Sequence, residues 1–161
     1  MQTLTRVVFV IVAVATASSA RADTRPQGYM VGAFGGWSNS FTSGAWIGAA
    51  AGGEAVIRER IGAGGEVGVL AGGGSGLVTV SVGASARFPS RSTRRTTPFV
   101  VGGYTFLEFF DGSDHGYHFG GGIEHRLNTR RGLRLEFRDV VRPRTFSSSH
   151  YWSARAGITF R

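Results

Sequence analysis

Hydrophobic and polar residues alternate along most of this chain, and the alternation is cleanest over Gly116–Val141. On the first arm of that stretch Tyr117, Phe119, Gly121, Ile123, His125 and Leu127 form one set, and His118, Gly120, Gly122, Glu124 and Arg126 the other. On the second arm Leu133, Leu135 and Phe137 oppose Arg134, Glu136 and Arg138. A period of two is the signature of a strand, because successive side chains leave opposite faces of the pleat. One face is apolar and aromatic. The other carries Glu and Arg in near-alternation with Gly, which suits a small closed space where opposite charges meet.

The same reading along the rest of the chain predicts eight strands. After a short lead, Asp23–Gln27, they are about Gly28–Trp37, Ala45–Arg58, Ile61–Leu70, Leu77–Phe88 and Pro98–Phe109, then the two arms of the hairpin joined at Asn128–Gly132, and finally Tyr151–Arg161. In the first strand Tyr29, Val31, Ala33 and Trp37 share a face. In the fifth, Phe99, Val101, Leu107 and Phe109 oppose Gly102, Tyr104, Phe106 and Glu108. By this reading every strand glutamate (Glu54, Glu66, Glu108, Glu124, Glu136) lies opposite the larger apolar set, as do Arg58, Arg87, Arg126, Arg134, Arg138 and Arg155. The expected architecture is all-β, an eight-stranded antiparallel up-and-down transmembrane barrel with its apolar face toward lipid and its charges in the lumen. Closure also removes the edges that an exported sheet would expose.

The start of the chain changes the domain picture. Arg6, the apolar run Val7–Ala17 and the small-x-small site Ala20-Arg21-Ala22 read as a cleavable signal peptide, residues 1–22. That leaves 23–161 as one barrel domain. There are no cysteines, so stability comes from the ladder or the lipid rather than from disulfides. The formal net charge is +8, with every basic residue an arginine. The arginines are scattered through turns and strand faces instead of clustering, which argues against a nucleic-acid partner. If both termini are periplasmic, the Arg-rich connections Arg58–Arg60, Pro89–Thr97 and Asn128–Gly132 are periplasmic too. The opposite connections are short for extracellular loops, which speaks against elaborate recognition there.

The run GGGIEHRL followed by GLRLEFRD, with a last strand YWSARAGITFR, resembles the outer-membrane β-barrel domain family, the eight-stranded relatives of the OmpA and OmpX transmembrane domains. The resemblance covers essentially the whole of 23–161. It implies residence in a Gram-negative-type outer membrane, contact with outer-membrane lipid, and passage through the barrel assembly machinery, which reads a final aromatic residue. Here Phe160 is penultimate and Arg161 follows. Members of the family serve as structural proteins, adhesins, enzymes and small pores, so the class does not fix the function.

Several sites follow as expectations. The lumen set Glu54, Arg58, Glu66, Arg87, Glu108, Glu124, Arg126, Arg134, Glu136, Arg138 and Arg155 reads as an ion-pair plug in a barrel just wide enough to be filled by its own side chains. A polar conduit or a gate of switching pairs is the other reading. Trp37, Trp46, Tyr117, Tyr151 and Trp152 read as an aromatic girdle at one bilayer interface. His115 and His118, beside Asp111 and Asp114, have an H-x-x-H spacing that aligns metal ligands on a helix but not across a strand, so no metal is expected. Ser147–Ser149 with His150 show no nucleophile, base and orienter arranged together, and the His-Ser-Asn run of the lipid-deacylating barrels is missing. Gly62–Val67 fails the dinucleotide fingerprint at its last position. The expectation is a monomeric, non-enzymatic, cofactor-free barrel of structural or surface-interaction role. A rim-site lipid-modifying enzyme and a small-solute pore are the alternatives, and a soluble lipocalin-like barrel would leave large apolar faces in water.

Overall fold

A computed structural model describes residues 24–38, 43–73, 75–89, 95–109, 112–143 and 148–161. The signal-peptide reading at 1–22 lies outside them, as do Asp111 and Ser147. The strands are β1 Thr24–Ser38, β2 Ser43–Ile57, β3 Ile61–Gly72, β4 Ser75–Arg87, β5 Thr96–Phe109, β6 Gly112–Arg126, β7 Arg131–Pro143 and β8 Ser148–Phe160. Each pairs antiparallel with its neighbours, and β1 pairs with β8 to close the barrel.

The strands run longer than the sequence pattern suggests, because β1 starts at Thr24 and takes in Pro26. Thr24–Gln27 pairs with β2, whereas the ladder to β8 begins only at Gly28. Pro26 therefore sits where only one neighbour exists and its missing N–H leaves no gap. At the β2–β3 turn Arg58 and Glu59 take left-handed backbone angles, φ 50° and 58°. In the β6–β7 turn the Asn128 side-chain oxygen accepts from the backbone N–H groups of Arg130 and Arg131, at 2.9 and 2.8 Å.

Stepping sideways from Gly28 through Gly53, Gly65, Val82, Tyr104, Tyr117, Val141 and His150 returns to β1 at Ser38, ten residues further on. That stagger over eight strands gives a tilt of about 40° and a backbone radius of about 8 Å. A tube that narrow admits one layer of side chains from each wall.

Outside, the barrel is apolar. Met30, Phe34, Ile47, Ile61, Val69, Val78, Val100, Phe106, Phe119, Ile123, Leu135, Phe137 and Ile158 all stand exposed around the wall. Inside, the buried side chains are mostly polar or charged, including Glu66, Arg87, His118, Glu124, Arg134, Glu136, Arg138 and Arg155. A water-soluble domain has the reverse arrangement.

Two strands depart from the pattern expected of them. In β1, Tyr29 and Val31 point inward while Met30 and Phe34 face out. In β5, Phe99 and Leu107 are buried while Val100, Phe106 and Glu108 are exposed. Glu108 is therefore on the outer face and does not join the lumen set. Both faces of these two strands carry large apolar groups, so alternation alone could not choose between them.

Candidate functional site: the lumen network

The lumen charges form one connected chain. It begins at the end of the barrel that carries the termini, where Arg161 donates to Glu124 at 2.6 Å. Arg87 reaches Glu124 at 2.9 Å and also pairs with Glu54. Arg134 bonds Glu54 at 3.3 Å and, through Nε and Nη2, the same Glu136 oxygen at 2.9 Å. Arg138 and Arg155 both contact Glu136, at 2.6 and 3.0 Å, and both contact Glu66, at 3.0 and 2.7 Å.

Glu136 is the hub, with three guanidiniums around a carboxylate whose side chain has no solvent exposure. Glu54, Glu66, Glu124 and Glu136 are matched by Arg87, Arg134, Arg138 and Arg155, so the buried part of the network is neutral. Ion pairs this dry hold only when the remaining lone pairs and protons are also satisfied. Gln27 donates to Glu124 at 2.7 Å and Ser85 to Glu54 at 2.7 Å.

The inward aromatics of β1 and β5 belong to this site. The Arg134 guanidinium lies 4.7 Å from the centre of the Tyr29 ring and 4.2 Å from that of Phe99. A delocalised cation between two ring faces is attracted by both quadrupoles, and lysine would present a smaller, more strongly hydrated charge. Tyr29 fits because its paired position on the neighbouring strand β2, Gly52, has no side chain. A Cβ there would lie 2.7 Å from both Cζ and Oη of Tyr29.

Above the charges, toward the other mouth, hydroxyls take over. Ser81 bonds Thr105 at 2.9 Å, and Thr105 bonds Nδ1 of His118 at 2.9 Å. The imidazole lies over Gly103, where a Cβ would be 2.8 Å from Cε1. Further on come Thr79, Leu107 and Trp46, all buried.

The remaining sequence candidates sort plainly. Arg58 is exposed in the β2–β3 turn, and Arg126 is exposed at the mouth beside the termini, so neither enters the network. Of the expected girdle only Tyr117 and Trp152 face outward, at 60% and 41% exposure. Trp46 is buried on the lumen side. Trp37 and Tyr151 line the far mouth with it, around a cavity of about 250 Å³. An outer aromatic cluster does exist near Tyr117, formed by Tyr104 with Phe106, His115 and Tyr117 at ring separations of 4.9, 5.7 and 5.5 Å. His115 and His118 stand on opposite faces of β6, since odd residues there face out and even ones in. Ser149 is buried inside, whereas His150 lies on the other face of β8 and bonds Asp139 at 2.8 Å.

Sequence reasoning did not name Gln27, Tyr29, Phe99, Thr105 or Arg161 as parts of the lumen, and it put His118 on the Glu124 face without counting it in the network. Gln27 and Arg161 fall at the strand ends, where alternation is too short to read. Thr105 carries the right parity once Phe106 is placed outside.

No protein-family model and no curated protein matches the chain. Solved structures do. Neisserial surface protein A superposes with a TM-score of 0.70 at 10% identity, over 85% of this chain and 97% of that one. The N-terminal β-barrel domain of Pseudomonas aeruginosa OprF gives 0.58 at 14% identity, covering 83% and 96%. The outer membrane protein OprG of the same organism gives 0.51 at 10% identity, covering 86% and 97%. At such identities the likeness establishes the fold, that of an OmpA/OmpX-like eight-stranded barrel.

Proposed function

We propose, starting from the OmpA/OmpX-like barrel fold, that this protein is an integral outer-membrane barrel of structural or surface-interaction role whose lumen is sealed by its Glu/Arg network. The observation that carries this reading is the inverted polarity of the wall. Large apolar side chains stand exposed around the whole circumference while carboxylates and guanidiniums are buried. In water such a surface would drive association. In lipid it is the expected exterior, and a barrel leaves no unpaired backbone edge in the hydrocarbon. OprG, with the same fold, is described as an outer membrane protein, which supports the same location here.

In this reading the charge chain closes the tube. A solute would have to part Glu136 from three arginines and the Arg134 guanidinium from two rings. The termini and the Arg-rich turns face the periplasm, and the protein acts through its outer wall and rims without a catalytic step. Cell fractionation with unheated and heated denaturing gels tests this. A membrane-bound band whose mobility changes on heating is the expected result. Recovery in the soluble periplasm, or a band indifferent to heating, overturns it.

A further inference from the structure

We infer that the mouth beside the chain termini is an anion site that takes a phosphate group. A cavity of about 230 Å³ opens there, lined among others by Arg25, Gln27, Glu59, Arg87, Arg126 and Arg161. Its charge is unbalanced. Arg25 pairs with Glu59 at 3.1 Å, both well exposed, and Arg161 shares Glu124 with Arg87. The Arg126 guanidinium makes no hydrogen bond or ion pair among the described residues.

A second observation is independent of that tally. Arg87, whose side chain is 4% exposed, has a buried Nε–H with no acceptor. Buried donors are nearly always satisfied, and this unmet one belongs to a side chain that lines the cavity. Around the cavity Arg58, Arg60, Arg95, Arg130 and Arg131 are all exposed with Glu59 among them, and such an excess of positive charge concentrates anions at the opening.

The donors choose among anions. Guanidinium forks bind oxyanions bidentately, and several forks around one point favour a group with three oxygens and more than one negative charge. That is a phosphate. The cavity is too small for a polymer and smaller than a typical drug-sized pocket. It lies where the apolar exterior ends, beside the exposed Ile57, Phe88 and Leu127. On the membrane reading above, that is the height of a leaflet's phosphate groups, so the phosphate is either free or that of an anionic lipid headgroup.

The test uses the full chain refolded in zwitterionic micelles, with heat-dependent gel mobility first confirming the folded barrel. A barrel that folds yet binds nothing then refutes the site without touching the membrane reading. Titration calorimetry is run with inorganic phosphate, and native mass spectrometry with nanodiscs of phosphatidylcholine containing a minor share of phosphatidylglycerol. Arg126→Gln removes a cavity guanidinium outside the ion-pair chain, and Arg142→Gln, at the opposite end of β7, is the control. Saturable phosphate binding that weakens about tenfold in Arg126→Gln only, the loss of one charged hydrogen-bonding partner, supports the site with free phosphate as ligand. Retained phosphatidylglycerol that is lost in Arg126→Gln only, without phosphate binding in micelles, supports it with a lipid headgroup as ligand. No saturable binding of either probe, or equal effects of the two variants, overturns it.

Discussion

The two halves of the lumen are filled by different chemistry. The half next to the termini is packed with carboxylates and guanidiniums, each arginine reaching at least one glutamate on another strand or two residues along its own. The half toward the other mouth uses a Ser81–Thr105–His118 relay and then Leu107 and Trp46. The mouths follow suit, one basic and the other lined by Trp37, Trp46, Leu70, Leu77 and Tyr151. Both halves bury their polar groups, but they differ in how a single loss propagates. A removed hydroxyl leaves one or two neutral groups unpaired. A removed carboxylate leaves charges unpaired in a dry space, and that is far more costly.

Equilibrium unfolding in urea, with the barrel in micelles, turns this contrast into numbers. Glu136→Gln strands parts of three guanidiniums, and stability is expected to fall by about 3–5 kcal/mol. An unchanged midpoint would refute its place as hub. Gly52→Ala tests the close packing beside Arg134, because the new methyl meets both the Tyr29 ring and the Gly65 carbonyl oxygen. A loss of about 1–3 kcal/mol is expected, with Tyr29 fluorescence reporting the displacement. In the other half Thr105→Val breaks the relay at its centre and is expected to cost about 1–2 kcal/mol. If it cost as much as Glu136→Gln, the distinction between the halves would fail. Glu108→Gln is the smallest, within about 0.5 kcal/mol, because the carboxylate stands on the outer face at the end of β5, by the rim, and not in the network.

The position of Glu108 also shows where the sequence stopped being legible. In the β6–β7 hairpin one face is apolar and the other charged, so parity alone puts Glu124, Arg134, Glu136 and Arg138 together, and they lie on one side of the wall in the structure. In β5 both faces are apolar, and choosing Phe99 and Leu107 as the outer set carries Glu108 inward by one residue of parity. What decides the face is tertiary. The Arg134 guanidinium takes aromatic rings on both sides, so Tyr29 and Phe99 turn in and Met30 and Val100 turn out. Trp46 fails for a related reason. Strand-end position suggested a girdle, but even-numbered residues of β2 face the lumen, where a bulky ring caps the tube. Arg58 and Arg126 have inward parity and still miss the network, because Arg58 lies in the turn beyond the β2–β3 ladder and Arg126, paired with Gly132, is the last residue of β6 at the mouth.

The central claim is a barrel with lipid outside and a neutral, sealed ion-pair chain inside. Conductance across a planar bilayer tests it most directly. The wild-type protein is expected to leave the bilayer resistance unchanged after insertion, with insertion confirmed by heat-dependent mobility of protein recovered from the membrane. A steady ohmic current that scales with the inserted protein would contradict the account.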